Sequence, residues 1–362
     1  MRESDWGSRL DVSLRNAWGL TFGDGVSPVE RTPSVLVHRE QHRDLHRYGS
    51  RSEGAPVLLV PPLAVPMHCY DLRPGQSLAA HLIGSGRTPY VVDYGTMGYA
   101  DRNLGFEDWT DDIVPGALRR VSDLHDGAPV DVIGWSLGGT LSLLTASAHP
   151  DLPIASITVL GTPTDYSKIP TMAVARALGK ITGHRPVTEL TRLMGGLPAP
   201  LVQVAYRAMA PSRELLKPWF VARNLHDTET LARMEAIDRF MARMPGYPAR
   251  LFYQMAEELV LGNGLLEGRV TMGGTTIKLA ELAVPVLAVG GTDDVIATAD
   301  SVGAIVDVLP GSPSVRFETA PGSHLGLLAG PGAKDTTWRH IDAFLGERAG
   351  GRDQGTGSAS EQ

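Results

Sequence analysis

The sequence lacks the cysteines and the basic excess that would define several classes of protein. Its 362 residues include a single cysteine, Cys69, which excludes an internal disulfide and a cysteine-based metal cluster and fits a reducing compartment. Lysine and arginine together number 33, against 40 aspartates and glutamates, for a net charge of −7. This mild acidity argues against nucleic acid or an anionic membrane surface as the main partner.

Long apolar runs are also missing. The most apolar run, from Pro56 to Met67, is too short to span a bilayer and contains prolines. No apolar stretch near the first residue has the form of a signal peptide. Hydrophobic residues make up 43% of the chain, which is enough to bury a sizeable core. These features predict a globular cytoplasmic protein without a transmembrane segment.

Short apolar runs alternate with amphipathic stretches through much of the chain. This alternation predicts an α/β fold with a mostly parallel, doubly wound sheet, because parallel strands need helical crossovers. Two alternating stretches before it, residues 34–39 and 44–48, predict an antiparallel pair at the sheet edge. The predicted core strands are 56–60, 90–93, 130–133, 154–160, 284–289 and 314–318, and the predicted helices include 76–84, 106–125 and 336–347.

The alternation divides the chain into four parts. Residues 33–160 and 283–348 carry the sheet pattern, and residues 161–282 interrupt it with a mostly helical, proline-punctuated insertion. An insertion of this length needs structure of its own, so we predict a helical cap domain. Residues 1–32 form an N-terminal extension, and the Gly- and Ser-rich residues 349–362 have the composition of a disordered tail.

The sequence Gly134-Trp135-Ser136-Leu137-Gly138 lies between a predicted strand and a predicted helix. G-x-S-x-G in this context is the nucleophile-elbow pattern, in which a serine occupies a sharp turn and its neighbours must be small. A glycine-rich turn without chemistry is the simpler alternative. The flanking strand and helix favour the elbow, with Ser136 as the nucleophile.

A serine nucleophile needs a base, and the base needs an acid that orients it. In this type of fold the acid and the histidine follow late strands, in that order along the chain. Asp294 follows the predicted strand 284–289, and His324 follows the predicted strand 314–318. Asp293 is the closest alternative acid. We predict Ser136, Asp294 and His324 as a catalytic triad.

An oxyanion hole needs two backbone N–H donors. One is predicted at Leu137, directly after the nucleophile. The other should come from the loop after the first central strand, where two prolines have no N–H, which leaves Leu63 or Ala64. Cys69 has no elbow around it and is predicted to be a buried, inert thiol.

With these residues assembled, the chain resembles the polyhydroxyalkanoate synthase family within the α/β hydrolases. The resemblance runs from about residue 33 to residue 345 and adds several motifs to the elbow. It implies an α/β-hydrolase fold with a helical cap, and it places Asp294 and His324 on the family's acid and base. The motifs that carry it are Val60-Pro61-Pro62, Tyr70 to Leu78, Val92-Asp93-Tyr94-Gly95, Leu261 to Gly268, Met272-Gly273-Gly274, Asp294-Val295-Ile296 and Ser323-His324.

One departure from the family lies at the nucleophile. These synthases carry a cysteine in the elbow, where this chain has Ser136. A thiolate accepts and releases acyl groups more readily than a serine hydroxyl, and water readily attacks an acyl-serine ester. The serine therefore favours hydrolysis of acyl or hydroxyacyl esters or thioesters over polymerisation.

Two alternatives remain beside the serine hydrolase. One is a synthase-type acyltransferase that uses hydroxyacyl-CoA, and the other is a non-catalytic partner subunit or a protein associated with polymer granules. No metal or other cofactor is implied, and the expected partner is a small acyl ester or acyl-CoA, with a homodimer as a further option. The cap should cover an acyl tunnel, whose candidate lining is Met172, Leu178, Leu193, Met194, Leu201, Met241 and Met244.

Overall fold

An eight-stranded sheet forms the centre of the protein in a computed structural model, which describes residues 3–26, 29–173, 176–177, 191, 193–208 and 211–355. In spatial order its strands are β1 (Ser34–His38), β2 (Asp44–Tyr48), β6 (Arg87–Asp93), β3 (Ala55–Val60), β7 (Val130–Trp135), β8 (Ile154–Leu160), β13 (Val286–Gly291) and β14 (Val315–Ala320). β1 and β2 form the antiparallel pair at one edge, β2 is antiparallel to β6, and the other six strands are mutually parallel. Two short strands, β4 (Asp71–Arg73) and β5 (Gln76–Ser77), pair with each other outside this sheet.

The central strands are buried on both faces. Leu58 and Leu59 are neighbours in β3 and point to opposite faces, and both are fully buried. Such continuous apolar runs are typical of parallel strands covered by helices on both sides. The helices are Glu3–Phe22, Leu78–Gly84, Val114–Asp123, Leu137–Ala148, Ala199–Ala208, Pro211–Asn224, Thr228–Met241, Ala249–Gln254, Ala299–Gly303, Gly326–Ala329 and Thr337–Gly355.

The sheet confirms the predicted fold class, and one predicted helix differs in detail. Residues 106–125 do not form one regular helix: a π-helical segment, Asp108–Ile113, precedes the α-helix Val114–Asp123. Pro115 explains the break, because it has no N–H to donate to the carbonyl four residues earlier. The segment is well packed, with Trp109 completely buried.

The inserted region contains strands as well as helices. Gly196–Leu197 (β9) pairs with Tyr247–Pro248 (β10), and Arg269–Met272 (β11) forms a hairpin with Thr275–Lys278 (β12). The two residues of the hairpin turn are Gly273 and Gly274, with φ of 57° and 84°. Two consecutive positive φ values suit glycine and match the twist of a tight hairpin. These glycines fall near the end of the predicted cap, and the hairpin was not predicted from the sequence.

The two ends of the chain are largely helical. The N-terminal helix Glu3–Phe22 is joined to the inserted region by Asn16, whose side-chain amide donates to the Leu225 carbonyl at 2.8 Å and the Thr228 hydroxyl at 3.0 Å. The last helix continues to Gly355, so it extends into the tail predicted to be disordered. Residues 356–362 of that tail lie outside the described residues. Across the described residues, no helix is both long and apolar enough to cross a membrane.

A single residue, Ser136, separates strand β7 from the helix Leu137–Ala148. The helix therefore begins against the end of β3, and Gly138 lies against the backbone there. A Cβ atom at position 138 would overlap the Val60 carbonyl oxygen and lie 2.8 Å from the Pro61 carbonyl carbon. Because the obstacle is backbone of a central strand, it cannot yield as a flexible side chain would.

We predict that Gly138→Ala destabilises the protein by about 1–3 kcal/mol or more, as overpacking of a core does. The control is Gly116→Ala, in the helix Val114–Asp123, where a Cβ would meet nothing within 4 Å. That change should stabilise the protein by about 0.5–1 kcal/mol, the difference in helix propensity between the two residues. Urea unfolding of both variants measures this, and equal stabilities would contradict the packing argument.

Candidate active site

Ser136 occupies the sharp turn between β7 and the helix Leu137–Ala148. Its backbone has φ of 53° and ψ of −125°, a conformation that side-chain-bearing residues rarely adopt. Its N–H donates to the Leu160 carbonyl at 2.8 Å, and its carbonyl accepts from Gly139 N–H and the Thr162 hydroxyl, each at 2.9 Å. The residue is half-buried. This is the geometry that the elbow pattern predicts.

Asp294 and His324, the predicted acid and base, are in contact. His324 Nδ1 lies 2.7 Å from Asp294 Oδ2, and the two side chains are 8% and 0% exposed. The other carboxylate oxygen, Oδ1, accepts from the N–H groups of Ile296 at 2.8 Å and Ala297 at 2.9 Å. A carboxylate held in this way makes Nδ1 the donor, so Nε2 is the ring nitrogen left to move a proton.

Asp293, the alternative acid, has a different contact. Its Oδ2 accepts from the Gly322 N–H at 3.2 Å, and its side chain is exposed. Gly322 belongs to the same loop as His324. The two aspartates therefore hold one loop at two points, and Asp294 is the one that reaches the imidazole.

Trp135 and Gly161 bring the histidine to the elbow. The Trp135 ring lies 5.1 Å from the His324 ring between centroids, and its Nε1 donates to the His324 carbonyl at 3.1 Å. Gly161, which follows β8, has a φ of 54°, and a Cβ there would lie 3.2 Å from His324 Nδ1 and 3.3 Å from Asp294 Oδ2. The His–Asp pair thus lies beside the residue that precedes Ser136. These contacts of Trp135 and Gly161 were not predicted from the sequence.

The loop after β3 offers unpaired N–H groups. Within the described part of the chain, the N–H groups of Leu63 and Ala64 donate to no acceptor. These residues are buried, and Ala64 has a φ of 57°. Leu137 is the first residue of its helix, so its N–H has no helical partner and the helix dipole is positive there. Both predicted donors, Leu137 and Leu63 or Ala64, are therefore available to a negatively charged oxygen.

Tyr70 joins the ends of the two central strands beneath the elbow. Its hydroxyl lies 2.7 Å from the Val60 carbonyl and 3.2 Å from the Ile133 carbonyl, and it accepts from the Trp135 N–H at 3.0 Å. β3 leaves the sheet at Pro61, so the hydroxyl substitutes for the strand partner that Trp135 lacks on that side. Tyr70 is completely buried, and burial raises its pKa well above the usual range, which keeps it neutral. No local pattern in the sequence predicts this role of Tyr70.

Cys69 is completely buried, as predicted. Burial raises the pKa of its thiol well above the usual range, so the reactive thiolate is disfavoured.

The cap contributes one aromatic contact to the site. Phe240, in the helix Thr228–Met241, lies 6.4 Å from the Trp135 ring between centroids. The proposed tunnel lining is divided: Leu193, Met194 and Leu201 are 76%, 38% and 46% exposed, whereas Met172, Met241 and Met244 pack into the core. The exposure of Leu193, Met194 and Leu201 does not support an enclosed acyl tunnel at these positions. Leu178 lies outside the described residues.

No group of three or more His, Cys, Asp or Glu residues that could hold a metal ion occurs in the described ranges.

Comparison of the structure with solved structures identifies the fold. An esterase from Thermogutta terrifontis aligns with a TM-score of 0.51 and 18% identity over 89% of this chain and 99% of that one. A monoacylglycerol lipase from Paleococcus ferrophilus aligns with a TM-score of 0.51 and 18% identity over 84% of this chain and 99% of that one. The protein therefore has the α/β-hydrolase fold.

Within that fold, the sequence is similar to polyhydroxyalkanoate polymerases, which confirms the resemblance found from the motifs. The chain is 25% identical to poly(3-hydroxyalkanoate) polymerase subunit PhaC of Allochromatium vinosum, over 95% of this chain and 96% of that one. The same subunit from Thiocystis violacea gives 25% identity over the same shares, and that from Cupriavidus necator gives 25% over 91% of this chain and 56% of that one. No protein-family model matches the chain.

The Tyr70 contacts predict that Tyr70→Phe destabilises the protein by about 1–3 kcal/mol, because the Trp135 N–H and the Val60 carbonyl would be left buried without their partner. The matched control is Tyr99→Phe, since the Tyr99 side chain is 61% exposed. Urea unfolding would measure both. Equal stability of the two variants would show that the Tyr70 hydroxyl is not needed at this junction.

The burial of Cys69 predicts that the native protein resists alkylation by iodoacetamide and reacts only once it is unfolded in urea. Because Cys69 is the single cysteine, Ser136→Cys adds a second, half-buried thiol at the elbow. We expect native Ser136→Cys to take up one equivalent of reagent, read by intact-protein mass spectrometry. Labelling of the native wild-type chain at the rate of the unfolded chain would contradict the burial.

Proposed function

We propose that the protein is an acyltransferase of the polyhydroxyalkanoate polymerase type, which takes a hydroxyacyl group from hydroxyacyl-CoA onto Ser136. The observation that carries the proposal is the similarity to polymerase subunits over almost the whole of both chains. The arrangement of Ser136 near the bonded His324–Asp294 pair supports acyl transfer as the chemistry. The similarity favours transfer over the hydrolysis that the elbow serine predicts.

The proposed first step follows from the geometry. Ser136 Oγ attacks the thioester carbonyl while His324 Nε2 takes its proton, and the N–H groups of Leu137 and of Leu63 or Ala64 stabilise the oxyanion. Collapse of the intermediate breaks the carbon–sulfur bond, and the imidazolium returns the proton to the departing thiolate. Asp294 holds the ring and stabilises its positive charge. The products of this step are an acyl-serine ester and a free thiol.

The acceptor in the second step defines the function. With His324 as base, attack by the hydroxyl of another hydroxyacyl unit extends a chain, whereas attack by water releases the free acid. Hydrolysis is the second candidate, and the serine itself favours it, because oxygen esters at a half-buried residue are open to water. A non-catalytic subunit is disfavoured, since such a protein gains nothing from a buried, bonded His–Asp pair beside an elbow serine.

The proposal is tested with purified protein and 3-hydroxybutyryl-CoA. We expect thiol release together with polymer or oligomers, and loss of both by at least about a thousandfold in Ser136→Ala, as for other removed nucleophiles. Thiol release is followed with a chromogenic thiol reagent, and products by mass spectrometry. Labelling by a fluorophosphonate, which requires an activated serine, reports the elbow independently of any substrate.

The variants separate the candidates. Polymer supports transfer, free acid alone supports hydrolysis, and a wild-type protein with neither turnover nor fluorophosphonate labelling rejects both. If the wild-type protein only hydrolyses the thioester and Ser136→Cys forms polymer, the nucleophile atom determines which of the two reactions occurs. Asp293→Asn is the control for Asp294→Asn, because only Asp294 contacts His324.

A further inference from the structure

A second candidate binding site lies beside the proposed active site, in a narrow pocket with an opening to solvent. Its walls come from the N-terminal extension, the segment after the oxyanion loop, and the cap helix Thr228–Met241. The pocket has space for about two or three water-sized groups. Its lining is rich in arginine, with Arg31, Arg73, Arg239 and Arg243 beside His68, and Glu235 is the only acidic side chain among the lining residues that the structure describes.

Two of the four arginines are neutralised by partners. Both terminal NH2 groups of the Arg73 guanidinium donate to the Glu229 carboxylate, each at 2.8 Å. Arg239 pairs with Glu235 at 2.6 Å. These pairs leave Arg31 and Arg243, two exposed residues whose guanidinium groups form no hydrogen bond or ion pair with any residue in the described ranges.

The unpaired arginines are close enough to repel each other. The pKa of Arg31 is lowered, first by partial burial and then by the positive charge of Arg243. The Asp71 carboxylate, which accepts from the N–H and the hydroxyl of Thr32, each at 2.9 Å, offsets part of this charge. Two like charges that one carboxylate offsets only in part favour an anionic ligand between them.

His68 adds an unsatisfied donor or acceptor to the same wall. Its Nδ1 is buried and has no partner among the described residues. Its pKa is lowered by burial and by Arg31, so the ring is mostly neutral at pH 7 and can donate a hydrogen bond without adding charge. A buried polar atom without a partner is uncommon in folded proteins, and a ligand in the pocket would satisfy it.

The walls are fixed in place. Besides the bonds between Thr32 and Asp71, the Val26 N–H donates to Glu235 at 3.0 Å. The Arg239 guanidinium also donates to the Asp24 carbonyl. The N-terminal extension is thus joined to both the core and the cap helix at the pocket, which gives this extension a role in building a site.

The pocket also adjoins the elbow. Phe240 lines it and packs against Trp135, the residue before Ser136. Pro66 and His68, which also line the pocket, follow the loop that carries the unpaired N–H groups. Phe240 and this loop thus place the pocket next to residues that adjoin Ser136.

We propose that Arg31, His68 and Arg243 bind a phosphate group at the entrance to the active site. Guanidinium groups match phosphate oxygens in geometry and charge, and the space suits one phosphate rather than a whole nucleotide. The phosphate has two sources, the acyl donor, since coenzyme A carries phosphates, or free phosphate. The donor source rests on the proposed function; phosphate binding itself does not.

Isothermal titration with inorganic phosphate and with coenzyme A, at ionic strength matched with chloride, tests binding without any turnover. We expect Arg31→Gln and Arg243→Gln to weaken both affinities by about tenfold or more, as loss of a charge-assisted hydrogen bond does. Arg269→Gln is the control, an exposed arginine on the hairpin outside the pocket. Saturable phosphate binding that all three variants retain, or no binding to wild type, would overturn the proposal.

The source is distinguished by comparing a hydroxyacyl-CoA with the phosphate-free N-acetylcysteamine thioester of the same acid. If the donor supplies the phosphate, Arg31→Gln and Arg243→Gln raise KM for the CoA thioester alone. If KM is unchanged for both while phosphate affinity falls, the site binds free phosphate. If the protein turns over neither thioester, the proposed function fails while the titration still decides the pocket.

Discussion

The backbone conformation of Ser136 is the constraint on which the rest of the site depends. A residue held in so sparsely populated a region costs about 1–3 kcal/mol, and it persists only where its surroundings impose it. Here β8 accepts its N–H, and Gly139 and Thr162 donate to its carbonyl. With both backbone groups bound, the serine cannot relax into the helix that follows. Its side chain is thereby kept at the carboxyl ends of the parallel strands, where the loops that carry Asp294 and His324 also lie.

The strands themselves need help at this point. Where β3 turns away at Pro61, the neighbouring strand loses its partner just before the elbow, and an unpaired buried N–H would cost about 1–3 kcal/mol. Tyr70 accepts that N–H and contacts carbonyls of both strands with one hydroxyl. Because β3 turns away here, the loop that follows it can present the N–H groups of Leu63 and Ala64. Tyr70 therefore stabilises the junction at which this loop begins.

The sequence predicted those parts of the structure that local pattern or chain order determines. The strands followed from short apolar runs, and the elbow from five consecutive residues. Asp294 and His324 followed from their order after late strands. What it did not predict are contacts between segments distant in sequence: Tyr70 with Trp135, or Gly161 with His324, depend on the three-dimensional packing. Gly161 and Tyr70 look ordinary in the sequence, because many glycines lie in simple turns and many tyrosines lie in cores.

The sequence contains local signals for the π-helical segment and for the hairpin, but neither signal was enough to predict the feature. Pro115 breaks the pattern of hydrogen bonds in a helix, and a Gly-Gly pair between alternating residues indicates a hairpin. Nothing in the sequence of the N-terminal extension indicates that Arg31 and Arg243 line one pocket. That placement depends on Thr32, which binds Asp71, 39 residues away in the chain, and on Val26, which binds Glu235, 209 residues away.

The elbow serine does not by itself decide between water and a growing chain as acceptor. An acyl-serine ester is open to both, and the ratio depends on how the acceptor is held. A hydroxyl bound in line with the ester reaches effective concentrations of roughly 10⁵ M or more, far above that of liquid water, provided its geometry is good. If Ser136 carries the acyl group as proposed, the oxygen ester lowers the intrinsic advantage of transfer, and a cap that orients an acceptor and excludes water would restore it. Phe240 of the cap helix packs against Trp135, next to Ser136. The fate of the acyl group would then depend as much on what the cap admits as on the atom that attacks.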